Sequence, residues 1–388
     1  MIELHSDKLV FSFPALAARF KQRAHTWIDA RLAVATLEEK SRLPSSLDLL
    51  YSKFDSCLPS VRASVSFQRT LRIPDDGHDY PLPPGLGRFP VRHVDDFAEV
   101  PEPWRKRGGV MLPMHKTEAM WLRFSADYPM ALKIGAGGIC AISGERWSSA
   151  LRDSRQNYVV LPVQPWLDGF RVSEGVIRQF VAVPLGKGLT VEQQLTGEES
   201  WGGVQLQAFP IKAEFSAINE MEASLETVWI ALTRPPEPSP QTALRYSRPF
   251  IRAALSCCSP DAAAGLGAGG RMKQEITAAP FGLDAWDTTL SSRCFVHLCL
   301  ADDWRRLTGI SAPHQPPTAR DYARAGLPWF DYDAGKPAVT GETALSGVKS
   351  VNTLVGEKTG LPLADNDSIT PSNVVKVEPR TTGVVREF

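Results

Sequence analysis

A mostly β fold, in formal terms a β-rich α+β class, is what the sequence predicts for most of the chain, on three observations. Glycine and proline are abundant, at 29 and 31 of 388 residues, which favours many short elements joined by turns over long helices. After Ser60, apolar residues alternate or come in short runs bounded by turn residues, the patterns of half-buried and fully buried strands. Four such runs close on proline: Val110-Met111-Leu112-Pro113, Val159-Val160-Leu161-Pro162, Val181-Ala182-Val183-Pro184 and Gln207-Ala208-Phe209-Pro210. Proline lacks the amide donor and stops ladder growth, so these read as strand ends. The expected organisation is an amphipathic helical arm over residues 1–60, a sandwich-like or barrel-like body over 61–335, and a wrapping, partly mobile tail over 336–388.

The arm is placed by Leu16, Phe20, Ala24, Trp27, Ile28 and Ala35, whose helical spacing predicts one stripe from Pro14 to Lys40. Pro14 suits a first helical turn and Leu43-Pro44 marks a stop. A second helical piece covers Ser46 to Phe54. Val65 to Ile73 then alternates as a strand, and the proline- and glycine-rich stretch Tyr80 to Gly87 must be a shaped loop. Further strands are expected at 110–113, 119–124, 131–134, 138–142, 158–163, 176–184, 204–210, 271–276 and 294–300. Ala213 to Leu232 has helical spacing, the proline run 235–240 reads as a linker or long loop, and 317–326 carries a short helix signal. The aromatic cluster Pro328-Trp329-Phe330-Asp331-Tyr332 follows, and Asn373 to Val377 is a last element.

Forty-three basic against forty-three acidic residues give zero formal net charge, so no long-range field favours nucleic acid or an anionic membrane. None of the six cysteines, Cys57, Cys140, Cys257, Cys258, Cys294 and Cys299, belongs to a C-x-x-C pair. They read as buried thiols in a reducing cytoplasm. Leu9 to Ala17 has the look of a short secretory core, but Glu3 and Asp7 stand where positive charge is wanted, so no signal peptide is expected. No apolar run approaches the roughly 18 residues that span a bilayer.

The string Gly265-Leu266-Gly267-Ala268-Gly269-Gly270 satisfies G-x-G-x-x-G, with Asp284 about twenty residues on. A dinucleotide site needs a strand before that turn and a helix after it. Neither is expected here, so the string reads as a plain glycine loop. Gly135 to Gly138 reads as a hairpin turn. Cys294 and His297 stand three apart on a strand and face opposite ways, so they cannot share a metal ion. Neither a metal site nor a cofactor is expected.

More informative are charges set among apolar strand residues. Arg178 and Gln179 interrupt the strand at 176–184, Gln274 and Glu275 the one at 271–276, and Asp168 sits in a turn beside Trp166. Such groups either pair with one another or face a wet cleft. His115, at a strand end, is a further cleft candidate, and Asp284 and Asp287 flank Trp286 in a manner suited to acid–base chemistry or to an aspartate-capped turn.

The strings from Phe67 to Gly77, Tyr80 to Phe89, Gln164 to Gly169, Arg178 to Gly186 and Leu327 to Phe330 resemble those of a family of uncharacterised bacterial and fungal proteins. The resemblance spans about Val65 to Val377 and implies one architecture, with no activity to carry over. The first functional expectation is therefore a cytoplasmic ligand-binding or assembly protein. Asp168, Arg178, Gln179, Gln274 and Glu275 would line a polar cleft for a small polar ligand, and the arm would supply homo-oligomer contacts. The alternatives are an atypical hydrolytic or acid–base enzyme using Asp284, Asp287, His115 and His297, and a structural subunit of a self-assembling particle.

Overall fold

The structure, a computed structural model, describes residues 1–216, 218–233, 262–332 and 335–377. The proline run 235–240, Cys257 and Cys258 lie outside the described residues. The arm opens with a hairpin of β1 (Ile2–His5) and β2 (Lys8–Ser12), turning at Ser6 and Asp7, both with positive φ. Leu9 and Phe11 alternate into the core, which is why this stretch is strand. Helix α1 (Pro14–Val34) buries Leu16, Phe20, Ala24 and Ile28 against the body. The helix expected to reach Lys40 breaks before Thr36, because Thr36 caps a separate α2 (Leu37–Arg42) in a reciprocal box with Glu39. Then follows α3 (Leu47–Asp55).

The body begins with β3 (Arg62–Thr70), β4 (Asp79–Tyr80), β5 (Gly85–Arg88), β6 (Arg92–His93), α4 (Glu102–Arg107) and β7 (Val110–Met114). It continues through β8 (Ala119–Ala126), β9 (Met130–Ala136), β10 (Ile139–Cys140), β11 (Val159–Leu161), β12 (Trp166–Leu167), β13 (Gly169–Ser173) and β14 (Val176–Pro184). After α5 (Val191–Thr196) come β15 (Val204–Pro210), α6 (Ala213–Ser216), α7 (Ile218–Thr233), β16 (Ala263–Lys273) and β17 (Ser292–Leu300). The described residues close with α8 (Ala301–Thr308), α9 (Ala319–Arg324), β18 (Trp329–Tyr332), α10 (Val351–Thr359) and β19 (Val374–Val377).

Among the described residues, seventeen strands join in one sheet that does not close into a barrel. One wing runs β1, β2, β3, β8, and the other β11, β9, β15, β17, β7, β6. β14 leaves the end of β8, pairs along β16, and β16 reaches β17, so this pair joins the wings. Among the described residues, pairing in this sheet is antiparallel except β4 with β16 and β7 with β17. The wings fold over a common core in which Leu9, Val65, Phe67 and Leu122 from one meet Leu132, Leu206, Val296 and Leu298 from the other, under α1. The fold is thus mostly β with an N-terminal helix, as the alternation predicts. Gly137 and Gly138 do form the β9–β10 turn.

The expected glycine loop is a correction: Gly265 to Gly270 lie inside β16. Leu266 and Ala268 face the core, while Gly265, Gly267 and Gly269 share the other face, where neighbours leave no room for a side chain. A Cβ at Gly265 would stand 2.7 Å from Thr190 Cγ2, one at Gly267 2.9 Å from the Leu189 carbonyl, and one at Gly269 2.6 Å from Val181 Cγ2. The glycines are there for close approach, a role that string matching cannot separate from a phosphate turn. Gly267→Ala is therefore expected to destabilise the protein by about 1–3 kcal/mol in urea unfolding, the usual cost of overpacking. No loss would mean that the separate segments bearing Leu189 and Val351 are free to shift.

The tail is seated on the body. Leu345 and Val348 reach the main core, and Val351 packs with Val181 and Val183. β18 and β19 form a small parallel sheet of their own, attached to the proline-rich loop through reciprocal backbone bonds between Leu82 and Phe330.

Candidate functional site

Asp168 lies at the bend between β12 and β13, where the chain leaves the edge of β8, with Leu167 opposite Leu122, and joins β14, with Gly169 opposite Gln179. The bend is locked by two glutamines. Gln274 accepts from the Asp168 amide at 2.9 Å and donates from Nε2 to Asp168 Oδ2 at 2.8 Å. Gln164 donates to the Trp166 carbonyl at 3.0 Å and accepts from the Thr277 amide at 2.9 Å. Both use side-chain amides where a β ladder would use backbone, and Gln274 thereby fixes the carboxyl in place.

Over this bend stands a cavity of about 220 Å³ lined by Leu82, Pro83, Gly85, Trp121, Trp166, Asp168, Phe330, Tyr332 and Val377. Trp166 and Tyr332 meet edge to face with centroids 4.6 Å apart. A narrow crevice with room for about 10 Å³ adjoins it, sharing Leu82, Trp166 and Tyr332 and bordered by Lys273, Gln274 and Glu275. Asp168 is 5% exposed. Burial pushes its carboxyl up to about 7, although hydrogen bonds from the Trp166 and Gln274 side chains pull the other way.

Of the five ligand residues expected from sequence, Asp168 alone lines the cavity, and Gln274 is in contact with it. Glu275 is exposed at the crevice, while Gln274 is the clamp. Arg178 and Gln179 are spent elsewhere. Arg178 donates to Asp75 Oδ1 at 2.9 Å and to the Gly269 carbonyl at 3.0 Å. Gln179 donates to the Leu71 carbonyl at 2.7 Å and accepts from the Ile73 amide at 3.0 Å. Both stitch the segment after β3 onto β14, and neither lines the cavity.

The four residues considered for catalysis stand in separate settings. Asp284 is exposed on a 3-10 turn. Asp287 accepts from the Thr289 amide at 3.1 Å and the Leu290 amide at 3.3 Å, an aspartate-capped turn at the edge of a groove of about 880 Å³ along α1. His115 Nε2 is 2.8 Å from the Pro313 carbonyl, in a crevice of about 40 Å³. His297 stacks on Trp104 at 4.9 Å and meets the Gly108 carbonyl at 3.0 Å; burial pushes it down to about 4, so it stays neutral at ordinary pH. Neither the groove at Asp287 nor the crevice at His115 borders any other of the four.

The aromatic walls Trp121, Trp166, Phe330 and Tyr332 were all missing from the site expected from sequence, and for Trp121 a signal exists. On β8, Met120, Leu122 and Phe124 point into the core, so Trp121 falls on the face of Arg123 and Ser125. A large aromatic in phase with polar residues is a surface group awaiting a cover. That cover is the loop at 82–85 and β18, both visible in the sequence as a shaped loop and an aromatic cluster but not as neighbours.

Fold and site together define a β-rich protein with a small aromatic cavity over a buried carboxyl. Among the described residues, no three His, Cys, Asp or Glu stand together as a metal site, and no helix is long and apolar enough to cross a membrane. Compared with protein-family models, curated proteins and solved structures, the chain matches none.

Proposed function

We propose that the chain is a ligand-binding protein whose ligand occupies the cavity over Asp168. One observation carries this reading: a carboxyl is held almost fully buried, hydrogen-bonded by the neutral side chains of Trp166 and Gln274, against aromatic walls that are themselves only partly buried. Such a carboxyl costs folding energy, and packing alone gives no reason to keep it. The cavity is smaller than the roughly 300–1,000 Å³ of drug-sized sites, so it suits a small molecule or one end of a larger one. The wider groove along α1 has no comparable group, since Asp287 there is consumed by its own turn and Arg23 pairs with Glu222 at 2.9 Å.

A thermal-shift screen of small organic cations, neutral molecules and anions tests the proposal. At least one member is expected to stabilise the wild type, by about 2.7 kcal/mol at a hundredfold excess over its Kd. It should fail to stabilise Trp121→Ala and Phe330→Ala. A panel that acts equally on all three proteins would remove the site.

An acid–base enzyme is the second reading, favoured by the same carboxyl, because a group titrating near neutrality is poised for proton transfer. A screened ligand that is chemically altered by the wild type but not by Asp168→Asn would select it. The cysteines Cys57, Cys140, Cys294 and Cys299 carry free thiols, which supports a cytoplasmic location. Oligomer contacts through the arm would have to use the exposed Val34, Leu37, Leu47 and Leu49, since Leu16, Phe20, Ala24 and Ile28 are already buried in the chain's own core.

A further inference from the structure

Resting on the binding reading above, we propose that the cavity recognises a small organic cation, an alkylammonium head group, held against the faces of Trp121, Trp166, Phe330 and Tyr332 and neutralised by Asp168.

Aromatic rings carry negative faces and attract cations within about 6 Å. Among the described residues, five rings elsewhere hold such a cation: Arg31 lies over Trp27, Arg107 over Trp201, Arg293 over Trp147 and Phe295, and Arg69 over Phe89. Among the described residues, no Lys or Arg lies over any of the four cavity rings in this way. Four rings thus border the cavity, and among the described residues none of them has a cation over it.

The carboxyl selects the sign of the ligand. Among the described residues no Lys or Arg lines the cavity, so an anion would meet Asp168 with none of them to balance it. A carboxylate offers about four lone-pair sites. Gln274 engages Oδ2 and the Trp166 side chain adds a second donor, so acceptor capacity is left for a ligand. The charged groups on surrounding elements do not compete. Lys273 and Glu275 are exposed and of opposite sign at the neighbouring crevice, Arg123 is exposed opposite Trp166, and Arg178 is bound to Asp75. On the small sheet, the half-buried Asp331 of β18 stands opposite the exposed Lys376 of β19, so the two are of opposite sign and neither lines the cavity.

The pH dependence follows. A permanent cation binds the ionised form of Asp168, which burial keeps protonated below about pH 7, so binding expels a proton and tightens as pH rises to that value. The test uses choline, whose charge does not change with pH, and its neutral isostere 3,3-dimethylbutan-1-ol, by titration calorimetry at pH 5 and pH 8. Choline is expected to bind about tenfold or more tightly at pH 8 than at pH 5, and at pH 8 to exceed the isostere by a similar factor. Asp168→Asn should lose the pH dependence, and Phe330→Ala should lose most of the binding. If the isostere binds as tightly as choline, the cation reading falls while the cavity remains a site. If neither binds, the cation reading falls again, and the neutral and anionic members of the thermal-shift panel decide separately whether the cavity binds anything.

Discussion

Asp168→Asn is expected to flatten a loss of stability that the wild type undergoes as pH rises from about 4 to about 7. In the unfolded chain the carboxyl titrates at its ordinary 3.8, and in the folded protein at about 7. Between those values the folded state holds a proton that the unfolded state has released, so raising the pH favours unfolding. The contribution is absent below about pH 4 and complete above about pH 7, where three pH units correspond to about 4 kcal/mol. Asparagine keeps the shape and can still accept from Gln274 but cannot ionise. Urea unfolding at several pH values should therefore show the variant gaining on the wild type by up to about 4 kcal/mol between pH 4 and pH 8. The difference between the two proteins cancels other titrating groups, such as Glu118 and His297. A constant difference across that range would mean that Asp168 ionises freely, and the argument for the cavity would lose its foundation.

Removing the Glu118 carboxyl should produce the other large effect. Glu118 is 3% exposed. Its Oε1 accepts from Arg69 Nε at 2.7 Å, and its Oε2 from the His115 amide at 2.8 Å. Arg69 also donates to the His314 carbonyl at 2.5 Å, tying β3 to the segment before α9. Burial pushes the Glu118 carboxyl up, although the His115 amide and Arg69 both act to keep it ionised. Glu118→Ala leaves a buried guanidinium without a counter-charge and an amide without an acceptor, and should cost about 3–5 kcal/mol. Glu118→Met alone should cost a similar amount, and the double variant Arg69→Met, Glu118→Met removes both charges and should recover a substantial part of it, as the cycle completed with Arg69→Met would show. A single-variant cost under about 1 kcal/mol, typical of an exposed pair, would contradict the burial of this ion pair.

The strands were legible where local pattern governs. Alternation in β3, the short apolar runs of β7, β9 and β11, and proline at the ends of β14 and β15 each report a property of a few adjacent residues. The helical stripe of α1 was legible for the same reason. What could not be read were elements whose cause lies elsewhere in the chain. β16 is a strand because Leu189, Thr190 and Val181 crowd one face and the core takes the other, and nothing within Gly265 to Gly270 says so. The break after α1 hung on one threonine and one glutamate.

The candidate site divides in the same way. The sequence by itself determined that Asp168, Arg178, Gln179, Gln274 and Glu275 are polar groups in apolar surroundings, because hydrophobic patterning is local. It could not determine which would be satisfied internally. Only the tertiary structure decided that Arg178 would find Asp75, about a hundred residues away, and that Gln179 would bond the backbone at Leu71 and Ile73. It alone set Asp168 under rings drawn from β8, β12 and β18. The physical reason is that the cost of a buried charge depends on what stands within a few ångströms of it in space, and that neighbourhood exists only once distant strands have paired.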